Sequence, residues 1–173
     1  MSSQSEFPLE QALLGFLMQG PAHGYALHER AESELGRIWY MGMSNVYATL
    51  KDLETLGRVE SRLDDEGYPP RRVYAVTDAG RRSFLAWIRE PVLAMRDIRV
   101  EFLAKLYFHH TLKLKGIGPL LDAQRKACRE RLRELGKARS PQDDGFDRLV
   151  TDFRRRRIEA CLDWLNFVRT ELA

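Results

Sequence analysis

The sequence lacks any run of 18 or more apolar residues, the length that a helix needs to cross a membrane. Residues 1–6 lack the basic start and apolar stretch of a signal peptide, so we expect none. Internal repeats and low-complexity tracts are also missing. These absences predict a cytoplasmic protein, and 173 residues suffice for one large domain or two small ones with real cores.

Cysteine is scarce, and no arrangement of reactive side chains typical of an enzyme is present. The two cysteines, Cys128 and Cys161, lie in charge-rich segments and are expected to be free thiols in a reducing compartment. The sequence has no nucleophile elbow, phosphate loop or paired carboxylates. His23 and His28 do not have the i, i+4 spacing of helical metal ligands. We therefore expect no catalytic site, no metal and no cofactor.

Charge of one sign does not dominate, since 28 Lys and Arg residues oppose 25 Asp and Glu residues, for a net charge of +3. Residues 1–90 are acidic, with 10 basic against 13 acidic residues, and residues 91–173 are basic, with 18 against 12. An acidic N-terminal half argues against simple nucleic-acid binding. Affinity depends, however, on the local surface that faces phosphate. A basic cluster within that half is formed by Lys51, Arg58, Arg62, Arg71 and Arg72.

The hydrophobic pattern of the N-terminal half predicts a winged helix-turn-helix. Apolar residues at helical spacing predict three helices, over about 9–17, 24–35 and 44–56. In the second helix, Tyr25, Leu27 and Ala31 are expected to face inward. Two short runs of β-branched and aromatic residues, 59–63 and 72–76, predict a two-stranded hairpin, the wing. Thr77 should cap a fourth helix. The order helix, helix, helix, hairpin, helix is that of this fold, and the whole chain is expected to be mainly α.

The third predicted helix has two different faces. One face is an apolar stripe, expected to be buried, of Val46, Leu50, Leu53 and Leu56. The other carries small polar groups, one tyrosine and one lysine: Ser44, Asn45, Tyr47, Ala48, Thr49 and Lys51. Ser44 is the expected N-cap and Gly57 the expected end of the helix. A helix that exposes such side chains is suited to a DNA groove.

The C-terminal half predicts three longer helices, over about 97–112, 117–138 and 142–172. Glu90-Pro91 is the expected boundary, which separates a DNA-binding domain at 1–90 from a helical domain at 91–173. Helices of this length, joined by short turns, would not bury all their apolar faces within one chain, so we expect a homodimer. The residues assigned to dimerisation are Phe153, Ile158, Leu162, Leu165 and Val168.

Four segments follow one another along the N-terminal half: Leu14-Gly-Phe-Leu17, Gly20-Pro-Ala-His-Gly-Tyr-Ala-Leu27, Asn45-Val-Tyr-Ala-Thr-Leu-Lys-Asp-Leu-Glu-Thr-Leu-Gly57 and Arg71-Arg-Val-Tyr-Ala-Val-Thr-Asp-Ala-Gly80. In the order and spacing of these segments, the N-terminal half resembles the PadR family of transcriptional regulators. The chain departs from the family pattern at Arg58, where a hydrophobic residue is usual. The C-terminal half agrees with the longer branch of the family in length and helical texture only.

The DNA-contacting residues are expected on the third helix, at the start of the second and in the wing. They are Ser44, Asn45, Tyr47, Thr49, Lys51, His23, Tyr25, Arg71 and Arg72. Asn45 could pair with adenine, Lys51 and Tyr47 could contact phosphate, and a wing arginine could enter the minor groove. Each has a structural alternative: Ser44 as a cap, Tyr47 as a packed core residue, the arginines as a solvated hairpin edge.

The resemblance further implies a small, often aromatic, effector that binds near the junction of the two domains. The candidates at that place are Trp87, Met95, Phe102 and Tyr107, although aromatic residues at helical spacing are more often simply core. The predicted function is sequence-specific binding of double-stranded DNA by a homodimer at an inverted-repeat operator, with repression released by the effector. The alternative is a helical interaction module whose winged domain binds another protein.

Overall fold

The computed structural model of the chain describes residues 8–64, 70–137 and 144–172. The elements, in chain order, are α1 (Leu9–Leu17), β1 (Ala22–His23), α2 (Gly24–Leu35), α3 (Met43–Thr55), β2 (Val59–Asp64), β3 (Arg71–Val76), α4 (Asp78–Trp87), a π-helical turn (Ile98–Phe102), α5 (Leu103–Thr111), α6 (Ile117–Lys137) and α7 (Gly145–Leu172). The predicted mainly α, winged helix-turn-helix fold is confirmed. Among the described helices, none is both long and apolar enough to span a membrane.

The predicted two-stranded wing is present, and the sheet to which it belongs contains one further strand. β2 and β3 pair antiparallel, with Val59 opposite Val76 and Asp64 opposite Arg71, as the sequence indicated. β1 adds to the other edge of β3, so the strand order is β1-β3-β2. A two-residue strand has no periodicity of its own, and its pairing with a segment 50 residues away is a tertiary property. The predicted β2–β3 hairpin is thus confirmed, and β1 is an addition that the sequence did not predict.

The sequence correctly predicted where α3 ends but not where it begins. The helix begins at Met43 with Gly42 at the cap position and no side-chain cap, so the assignment of Ser44 as N-cap is wrong. At the other end Gly57 has a φ of +63°, where glycine avoids the steric cost that a Cβ brings. Its amide donates to the Glu54 carbonyl at 3.0 Å, and that of Arg58 to the Leu53 carbonyl at 2.9 Å. This Schellman arrangement ends the helix where predicted.

The start of α4 is joined to that turn. The Thr77 hydroxyl oxygen accepts a hydrogen bond from the Gly80 amide at 3.2 Å, which confirms Thr77 as the N-cap. The same hydroxyl donates to the Gly57 carbonyl at 2.7 Å. The end of α3, the base of the wing and the start of α4 are thereby held together by one side chain.

The core of the first compact unit includes a helix from the C-terminal half. Phe16 of α1, Phe84 of α4 and Phe108 of α5 are fully buried, and the Phe108 ring packs edge-on against the other two at 5.3 and 5.4 Å between centroids. The unit comprises residues up to Ile88 together with Arg99–Leu114. The predicted division after residue 90 differs from this grouping, because it assigned α5 to the other domain.

The second unit comprises Arg89–Ile98 and the residues from Lys115 onward, and α6 and α7 pack along each other within it. Three of the five predicted dimerisation residues, Ile158, Leu165 and Val168, are buried within the chain itself. They contribute to the core and offer no surface to a partner, so that part of the assignment is corrected. Leu162 is half-buried, and Phe153 is exposed.

Candidate nucleic-acid interface

The outward face of α3 is open to solvent. Ser44, Asn45, Tyr47 and Lys51 are exposed, and Thr49 is half-buried. The opposite stripe is fully buried at Val46, Leu50 and Leu53. Leu56, predicted as the fourth member of the stripe, is 57% exposed, because the helix ends at Thr55 and the next residue turns away from the core. Among the described residues, none covers Ser44, Asn45, Tyr47 or Lys51 of the polar face expected to enter a groove.

Tyr47 lies on Gly24, the first residue of α2. A Cβ placed on Gly24 would be 2.6 Å from Cε1 of the Tyr47 ring, so only glycine leaves room for the ring there. Tyr47 remains 45% exposed while one side of its ring packs on the backbone. The structure therefore combines the two alternatives for Tyr47, a packed ring and an accessible side chain. The role of Gly24 was not predicted from the sequence, because it depends on a contact between two helices.

Arg72 is held against the end of α3 by two polar neighbours. Its Nη1 donates to Ser61 Oγ at 3.1 Å and lies 3.4 Å from Glu54 Oε2, which forms an ion pair with it. Beneath them, Tyr74 is buried, and that burial raises the pKa of its hydroxyl, while the charge of Arg72 acts in the opposite direction. Arg72 is thus oriented beside α3, with part of its charge offset by Glu54.

Arg71 begins β3, the central strand of the sheet, and His23 lies on β1, an edge strand of the same sheet. Arg71 is exposed and pairs in register with Asp64, next to residues 65–69, which lie outside the described residues. His23 Nε2 is 3.8 Å from Asp64 Oδ2, and its Nδ1 is buried without a hydrogen-bond partner. The sheet therefore brings Arg71, His23 and Asp64 together. The first two are able to contact phosphate, and the third is a carboxylate.

Tyr25 lies on the exposed side of α2, beside an acidic residue. The helical pattern placed it on the inner face of α2, but the structure exposes it. A hydrogen bond with Glu29 is the largest cause that raises the pKa of its hydroxyl, followed by the charge of the same carboxylate. An acidic neighbour weakens the case for Tyr25 as a phosphate contact, since its hydroxyl already has an anionic partner.

The basic cluster is partly neutralised by carboxylates. Arg58 Nη1 lies 3.0 Å from Glu10 Oε2, and Arg72 is paired with Glu54. Lys51, Arg62 and Arg71 are exposed. The local positive potential of this surface is therefore smaller than the sequence cluster suggested. The ion pair of Arg58 also explains how a charged residue is accommodated at a position where a hydrophobic one was expected.

Three predicted effector residues lie within the first unit, in or against its core. Phe102 is fully buried, and Tyr107 packs edge-on against Phe108 at 5.0 Å between ring centroids. Trp87 Nε1 donates to Glu101 Oε1 at 2.9 Å. Met95 belongs to the second unit, where its carbonyl accepts a hydrogen bond from Arg157 at 3.3 Å.

A buried lysine next to Trp87 was missed from the sequence. Lys105 is almost fully buried, and its Nζ lies 2.9 Å from Glu101 Oε1 and 4.9 Å from the centre of the Trp87 indole. The signal that could have found it is the i, i+4 spacing of Glu101 and Lys105 on one helix. The cluster of Trp87, Glu101 and Lys105 is therefore a desolvated ion pair packed on an aromatic ring.

A bundle of helices whose third member is exposed beside an antiparallel wing defines the winged helix-turn-helix class of transcriptional regulators. Residues 13–86 match the family described as "Transcriptional regulator PadR-like family", and residues 98–173 match "Virulence activator alpha C-term". The chain therefore contains a PadR-like family domain at residues 13–86. The expectation that it is not an enzyme is confirmed by that family, whose members regulate transcription.

Two curated relatives agree with this assignment. The "Negative transcriptional regulator PadR" of Bacillus subtilis is 27% identical over 128 residues, which are 73% of this chain and 70% of the relative. A "Probable transcriptional regulator" of Mycobacterium tuberculosis is 30% identical over 112 residues, 64% of this chain and 59% of the relative. Both names describe transcriptional regulation.

Solved structures of the Bacillus subtilis protein are also similar to this chain. Its complex with operator DNA has a TM-score of 0.49 at 23% identity, covering 93% of this chain and 97% of that one. Its complex with p-coumaric acid has a TM-score of 0.45 at 24% identity, covering 92% and 95%.

Proposed function

We propose that the protein is a homodimeric, sequence-specific DNA-binding regulator that represses transcription from an inverted-repeat operator and is released by a small aromatic effector. The observation that carries the proposal is the exposed polar face of α3, which lies beside a wing with exposed basic residues. Repression is supported by the name of the Bacillus subtilis relative, a negative regulator.

The recognition helix of this proposal is α3, placed in the major groove. Asn45 and Ser44 lie in its first turns, where side chains of a recognition helix meet base edges. Asn45 offers the donor and acceptor that adenine requires. Tyr47 and Lys51 contact phosphate oxygens, which fix the register of the helix on the duplex. Arg71 follows the backbone into the adjacent minor groove.

The dimer of this proposal is formed through the outer face of α7. Four of its exposed residues recur at intervals of seven: Phe146, Phe153, Ala160 and Phe167. The three phenylalanines are 71%, 61% and 58% exposed, and Leu149 beside them is exposed as well. A seven-residue apolar repeat is the pattern with which one helix pairs with another. We call these four residues the heptad stripe, and it replaces the buried part of the predicted interface.

The effector of this proposal is recognised near Trp87. Its half-buried indole offers an aromatic surface beside the buried ion pair of Glu101 and Lys105. Binding releases DNA only if the effector has a higher affinity for the conformation that does not bind the operator.

A salt titration of DNA binding tests the proposal. Duplexes selected from a random pool should bind with an affinity whose logarithm falls linearly with log salt, because phosphate contacts release counterions. Lys51→Ala should lower affinity and reduce the slope by about 1, which is the loss of one phosphate contact. Lys126→Ala is the matched control, since Lys126 is exposed on α6 in the other unit.

The result that would overturn the proposal is a failure to select any duplex, or a flat salt response. Either outcome would favour the protein-interaction alternative, to which the ion pairs of Arg58 and Arg72 with carboxylates lend some support.

A further inference from the structure

The two cysteines of the chain face each other across the α6–α7 pair. Cys128 is on α6 and Cys161 on α7, and their sulfur atoms are 3.9 Å apart, within hydrogen-bond distance for thiols. Cys128 is buried, while Cys161 is only partly so. Since the sequence contains no other cysteine, each has one available partner within the chain. The sequence alone favoured two free thiols and left a redox role as the alternative.

The surroundings of the pair favour one thiolate. A hydrogen bond with the Cys161 thiol lowers the pKa of Cys128 to about 7, against the opposing effect of burial, and the Gln124 amide contributes in the same direction. Gln124 Nε2 lies 3.8 Å from the Cys128 sulfur. The same thiol–thiol bond raises the pKa of Cys161. The pair therefore resembles a nucleophile and its resolving thiol, because the thiolate is the reactive form of cysteine.

We propose that Cys128 and Cys161 form a redox-active pair that closes to a reversible intramolecular disulfide when the protein meets a hydroperoxide. The Cys128 thiolate attacks the hydroperoxide, so that an S–O bond forms, the O–O bond breaks and the departing oxygen takes up a proton. The Cys161 sulfur loses its proton and attacks the resulting sulfenic acid. An S–S bond forms, the S–O bond breaks and water leaves. The net reaction converts two thiols and one hydroperoxide into a disulfide, an alcohol and water.

The geometry requires only a local movement. The sulfur atoms must approach from 3.9 Å to about 2.05 Å, which side-chain rotation and a small shift of one helix can supply. The bond would link α6 to α7, which already pack along each other. Formation of the disulfide therefore does not require α6 and α7 to move across a large distance.

Gln124 connects the pair to the segment that follows α4. Its Oε1 accepts a hydrogen bond from the Val92 amide at 2.6 Å, and its Nε2 donates to the Val92 carbonyl at 2.9 Å. The Nε2 group also points to the Cys128 sulfur. Oxidation replaces an anionic acceptor by a neutral disulfide sulfur, so the amide loses a partner. We expect hydrogen exchange of the Val92 amide to become faster in the oxidised protein.

The experiment is a peroxide titration of the reduced full-length protein, analysed by intact mass, peptide mapping and non-reducing electrophoresis. The expected product is a single chain about 2 Da lighter, with peptides of Cys128 and Cys161 joined, and thiol reductant should reverse it. Cys161→Ser should instead give a Cys128 sulfenic acid that dimedone traps. The variant with both cysteines replaced by serine serves as the control for methionine oxidation.

The outcome of that titration decides the proposal independently of any DNA binding. Two thiols that remain free to alkylate after excess peroxide would overturn it, as would a disulfide that joins two chains. Replacing Cys161 by alanine, which lacks the donor, should also shift the pH midpoint of Cys128 alkylation upward from about 7. An unchanged midpoint would show that the two sulfurs do not interact.

Discussion

At the scale of single residues, the orientation of Tyr47 depends on the absence of a Cβ atom at Gly24. The sequence correctly predicted that Tyr47 is exposed on the helix expected to meet DNA, because spacing along one helix determines its faces. It placed Tyr25 on the inner face and Leu56 in the buried stripe, and both are exposed. Residues near the ends of helices are those for which periodicity is least informative, since the direction of the chain changes there.

Gly24→Ala should lower affinity for a selected duplex about tenfold, because the new Cβ would lie 2.6 Å from Cε1 of Tyr47 and displace its ring. The measurement is fluorescence anisotropy at fixed salt, with circular dichroism to confirm folding. Gly118→Ala is the matched control, since no atom lies within 4 Å of the Cβ it would add. Equal affinities of the two variants would show that the Tyr47 ring contributes nothing to binding.

At the scale of elements, helices were predicted within a few residues, while pairings between distant segments were not. The helices from α2 to α7 follow from apolar spacing, Gly and Pro breaks, and the Thr77 cap. β1 and the attachment of α5 to the first unit depend on contacts far apart in sequence, which local pattern does not contain. The assignment of Ser44 as N-cap was wrong because α3 already begins at Met43, and Gly42 occupies the cap position.

The attachment of α5 can be measured through Phe108. Phe108→Ala removes a ring that packs against Phe16 and Phe84, and should lower the free energy of unfolding by about 3–5 kcal/mol. Urea denaturation followed by circular dichroism would give this value. Tyr40→Ala, a change of similar size at a residue of the first unit that is 72% exposed, should alter it by at most about 0.5 kcal/mol. A small effect for Phe108 would place α5 outside the core of the first unit.

At the scale of the whole molecule, the expectation of a dimer stays a prediction, and its surface is redefined. The sequence showed that α7 carries more apolar residues than one chain needs, but could not tell which of its faces the same chain covers. The structure buries Ile158, Leu165 and Val168 and leaves the heptad stripe exposed. The periodicity predicted that α7 carries the surplus of apolar residues. Which of its faces the same chain covers follows only from its packing against α6.

Phe153→Asp should convert a dimer to a monomer without unfolding it, because it places a charge in the middle of the heptad stripe. Light scattering should report half the mass of the unmodified protein, and tight operator binding should be lost with it. Arg154→Asp introduces the same side chain at an exposed position off the stripe and should leave the mass unchanged. A Phe153→Asp protein that remains a dimer would locate the contact elsewhere.

The spacing of the heptad stripe also determines how a partner helix would have to run. A straight α-helix has 3.6 residues per turn, so positions seven apart drift by about 20° with each repeat. Between Phe146 and Phe167 there are three repeats, and the stripe therefore rotates by roughly 60° around a straight α7. Two such helices stay in register only when they coil about each other with a left-handed twist. A dimer formed through this stripe would therefore take its handedness from the numbering of three phenylalanines and one alanine.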